Sequence, residues 1–282
     1  MNHELRLKLR NRLGNTLGTV GRYVPLSWRK RLARRSSRWA YLLLDEGDFV
    51  VSDYLGGLSF TIDVRRSVER EILSGVYEPE LLASIAQCVG PDSVCIDVGA
   101  NSGAVTLALA AKATQGKVFA FEPGPEFFSR LEKNVGLNPD LGSRVSLHNL
   151  GVGSAPGTLR WVEDIRSPGN AWCLADRGGT EVPVTTLDRF FQANPVHRVD
   201  FIKIDTEGME WEILQGAKET LRRFHPVVYL ETSLVFESIR RVPVRKWCAD
   251  WLGDLGYRLY DPKTDRPVSY PRLPPNSIAL YS

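Results

Sequence analysis

Three acid-bearing stretches, each closing a short apolar run, could do chemistry in this sequence. The first is Cys95-Ile96-Asp97-Val98-Gly99-Ala100-Asn101-Ser102-Gly103. Glycines at 99 and 103 let the backbone turn sharply and approach a ligand closely. A helix that starts there presents its free N–H groups to that ligand. The second is Glu122-Pro123, twenty-five residues after Asp97. An acid at that place can accept both hydroxyls of an adenosine ribose. The third is Asp205-Thr206-Glu207-Gly208-Met209-Glu210, which closes the run Phe201-Ile202-Lys203-Ile204; a further acid, Glu231, ends the run from Val227 and precedes Thr232.

The spacing Gly99-x-x-x-Gly103 is not the G-x-G-x-x-G of nicotinamide dinucleotide sites. A carboxylate at 97 would also sit near the dinucleotide's pyrophosphate and repel it. S-adenosylmethionine carries no phosphate, but an ammonium and a sulfonium, and acidic strand ends suit those charges. It is the cofactor these residues favour. Asp205, Glu207 and Glu231 are candidates for the base that takes a proton from an acceptor, or for orienting that acceptor. Asp205 is hard to explain as packing, because a buried charge needs a partner, whereas Glu207 also suits the first turn of the helix that follows. His148 is a reserve base. Two acids at 205 and 207 without a third ligand are thin support for magnesium, so no metal is expected.

The elements that must hold these groups alternate. Ser93 to Val98, Lys117 to Phe121, Val145 to Asn149, Phe201 to Ile204 and Val227 to Glu231 read as strands. Ser102 to Lys112, Pro125 to Asn134 and Met209 to Leu221 read as helices between them. That order predicts a Rossmann-like α/β fold, a mostly parallel sheet with helices on both faces. Ligands in such sheets bind beyond the carboxyl ends of the strands, where all the acids fall. Three segments are expected: a basic, partly helical extension over 1–45, short strands and helices over 46–91 that lead into the core, and the main domain over 92–282. Phe49 to Val64 reads as two strands around Gly56-Gly57. The stretch from Trp161 to Thr180, with Arg166 and Trp172, reads as irregular, and the region after about residue 240 is left without elements.

With these residues in place, the chain resembles the FkbM-type methyltransferases. The matching runs are Asp97 to Gly103, Phe121-Glu122-Pro123, Asn149-Leu150-Gly151-Val152-Gly153, and Ile202 to Glu210 continuing through Leu214-Gln215-Gly216-Ala217. The resemblance covers about residues 70 to 235. It implies a class I methyltransferase fold, S-adenosylmethionine as cofactor, and O-methylation of a hydroxyl on a sugar, glycan or natural product. It also implies that Asp97, Gly99, Asn101 and Gly103, with Ala100 in the same loop, line the methionine part. Glu122 would take the ribose, and the turn at Leu150 and Gly151 would border the adenine. Many class I enzymes carry an acid at that turn; Gly151 stands there instead, which leaves backbone contacts for the adenine.

Composition bounds the rest. The chain has 282 residues, 43% hydrophobic and 24% charged, as expected of a globular protein. No apolar run nears the roughly 18 residues of a membrane span, and the N-terminus lacks the apolar stretch of a secretory signal. Four scattered cysteines, Cys88, Cys95, Cys173 and Cys248, suggest reduced thiols and a cytoplasmic protein. Residues 1–40 hold eleven basic side chains and one acid, a balance of +10, so the remainder carries −7 of the total +3. Such an arm suits an anionic membrane surface, a polyanion or an oligomer contact. Nucleic acid is disfavoured. Amino-directed nucleic-acid methyltransferases place an Asn- or Asp-Pro-Pro-aromatic run where this chain reads Asp205-Thr206-Glu207-Gly208. N-methylation of RNA or another amino acceptor, and a cofactor-binding scaffold without catalysis, are the rival readings.

Overall fold

A computed structural model describes residues 48–163, 171–173, 179–232 and 234–282. The basic arm, and Arg166 in the irregular stretch, lie outside the described residues. No helix among the described residues is long and apolar enough to cross a membrane. The described chain divides into two compact units, residues 48–78 and the remainder.

In the first unit, β1 (Phe49–Tyr54) and β2 (Leu58–Ile62) form an antiparallel hairpin. Its turn uses positive φ at Gly56 (83°) and Gly57 (154°), conformations that glycine adopts without a Cβ clash. Helix α1 (Ser67–Ser74) follows and stops at Gly75, which is left-handed.

The second unit opens with α2 (Pro79–Cys88), β3 (Val94–Val98), α3 (Ala104–Lys112), β4 (Lys117–Phe121), α4 (Pro125–Gly136), the single turn α5 (Pro139–Gly142) and β5 (Val145–His148). A small sheet comes next, from β6 (Gly151–Val152), β7 (Gly157–Glu163), β8 (Ala171–Cys173) and β9 (Thr180–Thr185). The chain returns through α6 (Leu187–Ala193), β10 (Phe201–Ile204), α7 (Glu210–Gln215), α8 (Lys218–Phe224) and β11 (Val227–Glu231). It ends with α9 (Leu234–Arg240), α10 (Val244–Asp254), β12 (Tyr257–Asp261), β13 (Arg266–Pro267) and β14 (Asn276–Tyr281).

The main sheet has the order β13-β12-β14-β11-β10-β3-β4-β5. The five strands from β11 to β5 are parallel; β14 runs antiparallel to β11. Chain order reverses between β3 and β10, where open α/β sheets leave a crevice at the carboxyl ends. One face buries Ile96, Val98, Ile202, Ile204, Val228 and Leu230 against α6, α7, α8 and α10. The other face packs on α3, whose Ala- and Leu-rich sequence is buried along nearly its whole length. Helix α2 packs on α3 and belongs with this unit, although its residues fall in the segment expected to lead into the core.

Two expectations need correction. The helix expected over Met209 to Leu221 is broken into α7 and α8 at Gly216. A Cβ at Gly216 would lie 2.0 Å from the Gly153 carbonyl oxygen, so the β6 segment crosses directly over the helix there. The Asp188 carboxylate then caps α8, accepting from the N–H groups of Glu219 (3.0 Å) and Thr220 (2.8 Å). The stretch from Trp161 to Thr180, expected to be irregular, holds the end of β7, all of β8 and the first residue of β9, which join a small sheet of order β6-β9-β7-β8.

Candidate active site

The glycine loop is built as the turn the sequence demanded. Gly99 (φ 79°), Asn101 (φ 49°) and Gly103 (φ 94°) all adopt positive φ. The N–H groups of Gly99 and Ala100 both donate to the Phe121 carbonyl at 3.0 Å, tying the loop to the end of β4. Asn101 Oδ1 accepts from its neighbour's N–H at Ser102, 2.7 Å, which stabilises its own left-handed turn. Asn134 Nδ2 on α4 donates to the Ser102 carbonyl at 2.8 Å.

Glu122 lies at the end of β4 and is 3% exposed. Its two oxygens accept from separate backbone donors, Asn101 N–H and Gly124 N–H, each at 2.8 Å. The carboxylate therefore holds the glycine loop to the turn after β4, and each oxygen keeps a lone pair for a further donor. Burial pushes its pKa up to about 7, against the lowering effect of those N–H groups and Lys203. Asn149 Nδ2 donates to the Glu122 carbonyl at 2.8 Å and steadies the same corner from the end of β5.

The centre of the site is a residue to which the sequence assigned no role. Lys203 is 2% exposed. Its Nζ donates to the Gly99 carbonyl at 2.7 Å and lies 3.4 Å from Asp97 Oδ1 and 3.3 Å from Asp205 Oδ2. Burial opposes the ammonium, but Asp205 and then Asp97 outweigh it and raise the lysine above its ordinary pKa. The register explains the meeting. Lys203 pairs with Asp97 across the parallel β10–β3 ladder, and Asp205 is two residues on, hence on the same face. The partner that Asp205 needs is thus Lys203. Asp97 is fully buried and also accepts from Thr106 Oγ1 at 2.6 Å. With no exposed surface, it acts on the site through Lys203 and α3.

Beyond Asp205 the chain turns tightly. Glu207 takes φ 57° and is exposed. Surrounding loop atoms nevertheless crowd its carboxyl, and this desolvation, followed by the charges of Asp205 and Glu210, pushes its pKa up to about 7. Glu210 is buried, and its Oε1 accepts from Gly208 N–H at 2.9 Å and Thr206 N–H at 3.3 Å. Glu210, not Glu207, thus ties the loop to the start of α7. Arg240 on α9 grips the loop from outside, donating to the Gly208 carbonyl and to the Glu212 carboxylate. Lys203, Glu210 and Arg240 were readable only as charges in or near apolar runs that required partners.

Glu231 ends β11 half-buried, on the sheet face that carries Lys203. Leu150 is half-buried against the core, and Gly151 is buried as the first residue of β6, paired with Val184 of β9. His148 stacks on Phe121 (centroids 5.0 Å apart) and meets Phe190 edge-on (4.7 Å). Burial, then Lys117, lowers its pKa; its environment is aromatic packing. On α10, Arg245 is buried and its neighbour Lys246 is exposed beside Asp250. Among the described residues no group of His, Cys, Asp or Glu is placed to hold a metal ion.

Residues 97–259 match the profile of the Methyltransferase FkbM domain. The chain belongs to the FkbM methyltransferase family. Among relatives of this FkbM chain, hexuronic acid methyltransferase AglP of Haloferax volcanii is 26% identical over 54% of the chain and 61% of its own length. The 2-O-methyltransferase NoeI of Sinorhizobium fredii is 26% identical over 58% of the chain and 75% of its own length. The chain spans about three fifths of the length of most curated relatives it matches. A crystal structure of methyltransferase FkbM from Methylobacillus flagellatus is 15% identical, covers 90% of this chain and 58% of the other, and superposes with a TM-score of 0.47.

The cofactor of this FkbM methyltransferase is S-adenosylmethionine, and the residues present fit it. Five carboxylates, at 97, 122, 205, 207 and 231, act on one ammonium, that of Lys203, near the strand ends. Lys203 is fully engaged by Gly99, Asp97 and Asp205. The edge keeps an excess of negative charge, which suits a sulfonium and an ammonium and opposes a phosphate.

Proposed function

We propose that this methyltransferase is O-directed, methylating a hydroxyl of a sugar, glycan or natural product. The observation that carries the reading is the carboxylate group Asp205, Glu207 and Glu231 at the sheet edge, beside the glycine loop that ends β3. When bound, S-adenosylmethionine supplies a methyl already activated by its sulfonium. What remains for the protein is alignment, exclusion of water and removal of one proton. As the acceptor oxygen bonds to the methyl carbon and the carbon–sulfur bond breaks, the hydroxyl proton passes to a carboxylate. Glu207 suits this task, because a base with a pKa near 7 is matched to neutral pH. Asp205 is held by Lys203 and orients the edge, and Glu231 faces the acceptor from β11. Glu122 holds the ribose, the loop from Gly99 to Gly103 with Ala100 and Asn101 cradles the methionine part, and Leu150 and Gly151 border the adenine. The hexuronic acid named for AglP and the 2-O position named for NoeI favour a sugar hydroxyl.

Isothermal titration with S-adenosylhomocysteine, NAD serving as control, tests the first half of this reading. Transfer of radiolabelled methyl to a panel of methyl hexosides and hexosiduronates tests the second. Saturable binding of S-adenosylhomocysteine alone, with alkali-stable methyl ethers as products, is expected. Labelling of amino sugars only at nitrogen would make the enzyme N-directed.

A further inference from the structure

We infer that Arg240, the last residue of α9, is a positioning residue for methyl transfer: it fixes the turn that carries Glu207 relative to the segment that carries Glu231. The inference rests on the O-directed reading above, with Glu207 as the base, and adds a residue outside the strand-end motifs. The turn has no helix or strand of its own to hold it. Glu207 and Gly208 take positive φ in succession, 57° and 109°. Glycine is conformationally permissive, so the direction of the Glu207 side chain depends on what grips the peptide groups beside it. Side chains grip both polar groups of Gly208. Its N–H donates to Glu210 Oε1 at 2.9 Å, and its carbonyl accepts from Arg240 Nη1. Glu210 belongs to the same stretch of chain as the turn. Arg240 lies 32 residues on from Gly208, and it refers the turn to another part of the site.

Arg240 is itself held in place. Its guanidinium meets the Glu212 carboxylate with both terminal nitrogens, Nη1 at 3.1 Å from Oε2 and Nη2 on Oε1. A forked pair of this kind fixes orientation as well as charge, and the two side chains are only 29% and 19% exposed. Helix α9 is tied in turn to α10 by Glu237, whose Oε1 accepts from the Arg245 N–H at 2.6 Å. The helix begins three residues after Glu231, and between them the Thr232 N–H donates to the Pro275 carbonyl at 2.7 Å. The two acids therefore sit on separate anchored segments, and Arg240 joins one segment to the other. Transfer needs base, acceptor oxygen and methyl carbon in register, and a misplacement of about 1 Å costs about 10²-fold in rate. Loss of Arg240 is thus a loss of alignment, felt in kcat and not in the binding of cofactor or acceptor.

The test is a double-mutant cycle between Arg240→Met and Glu207→Gln in the full chain, on whichever methyl hexoside or hexosiduronate the wild type methylates. Active fraction is set by the stoichiometry of S-adenosylhomocysteine binding. Arg240→Met alone should lower kcat by about 10- to 100-fold, with KM and S-adenosylhomocysteine affinity near wild type. Arg240→Lys, which keeps the charge and can still reach a carbonyl but cannot fork, should recover part of that loss. In the Glu207→Gln background, Arg240→Met should lower kcat no further, because residues that act through one another are not additive. Equal losses in both backgrounds, with Glu207→Gln itself strongly impaired, would make Arg240 structural and overturn the inference while leaving Glu207 as the base. So would a wild-type kcat in Arg240→Met. If Arg240→Met does not fold, the same cycle with Arg240→Lys decides between the same outcomes. Wild-type turnover in Glu207→Gln alone overturns the role of Glu207, and a wild type that binds S-adenosylhomocysteine but methylates no glycoside overturns the O-directed reading; either takes this inference with it.

Discussion

Lys203 and Asp97 form a buried ion pair between neighbouring parallel strands, with Nζ 3.4 Å from Oδ1 and the residues 2% and 0% exposed. Two such charges persist in a core only because each answers the other and both find further hydrogen bonds. Thr106 supplies one to Asp97, and the Gly99 carbonyl and Asp205 complete the shell of Lys203. Lys203→Met leaves Asp97 buried without its counter-charge. A loss of about 3–5 kcal/mol is expected, read as the shift in urea midpoint at constant m-value. Adding Asp97→Leu to that variant should recover part of the loss, because it removes the stranded charge. A single variant as stable as wild type would contradict the pairing.

Glu122 predicts two pH effects of opposite sign. Burial raises its pKa from 4.5 to about 7. A raised carboxyl pKa stabilises the folded protein at low pH, fully below about 4.5, and this contribution is lost as pH rises to about 7. It is worth on the order of 3 kcal/mol at most. The ligand-free protein should therefore melt at a higher temperature at pH 5 than at pH 8, by a larger margin than Glu122→Gln does. On the proposal that ribose hydroxyls donate to the ionised Glu122 carboxylate, S-adenosylhomocysteine affinity should rise as pH increases through 7. Calorimetric titrations at pH 6 and 8 should find this rise in wild type and not in Glu122→Gln. Glu122→Ala should weaken binding by roughly 1.5–3 kcal/mol, and unchanged affinity would remove Glu122 from the ribose site.

The parallel strands were legible because a strand covered on both faces reads as an apolar run. The runs at 117–121, 201–204 and 227–231 coincide with β4, β10 and β11. The small sheet was not legible. Its strands are short, β9 contains Pro183, and their pairing is set by contacts between β7 and β9 that no local pattern encodes. The break at Gly216 was hidden for a similar reason, since it answers a carbonyl from Gly153, distant in sequence. In the site, the acids and glycines carried their own signal. Lys203 did not, because its role depends on the register of β10 against β3. The two-residue offset from Asp205 was the one clue in the sequence, since it puts both charges on one strand face.

The two loop glycines should differ sharply in tolerance. A Cβ on Gly99 would lie 1.9 Å from the Asp205 carbonyl oxygen, and φ is 79°. Neither backbone can retreat without opening the β3–β10 contact that brings Asp97, Lys203 and Asp205 together. A Cβ on Gly103 would lie 2.7 Å from Leu131 Cδ1, at the end of a side chain that can rotate. Gly103→Ala should cost about 1–3 kcal/mol from overpacking and the positive φ. Gly99→Ala should cost more and abolish S-adenosylhomocysteine binding. Thermal melts with and without S-adenosylhomocysteine check this, and a ligand-induced stabilisation of Gly99→Ala equal to that of wild type would contradict it.

Glu207 and Glu231 can be told apart by the pH dependence of turnover. Crowding and two neighbouring acids hold Glu207 near 7, so its basic form is a minority at pH 6 and dominant at pH 8. If Glu207 takes the proton, kcat for the methylated glycoside should rise tenfold per pH unit below 7 and level off above it. Glu207→Gln should remove that limb and lower the plateau by about 10²- to 10⁴-fold, with S-adenosylhomocysteine affinity little changed. Glu231→Gln keeps the shape and can still hydrogen-bond, so an orienting role predicts a raised KM with the limb retained. The reverse pattern, a flat profile in Glu231→Gln and a persisting limb in Glu207→Gln, would transfer the base to Glu231.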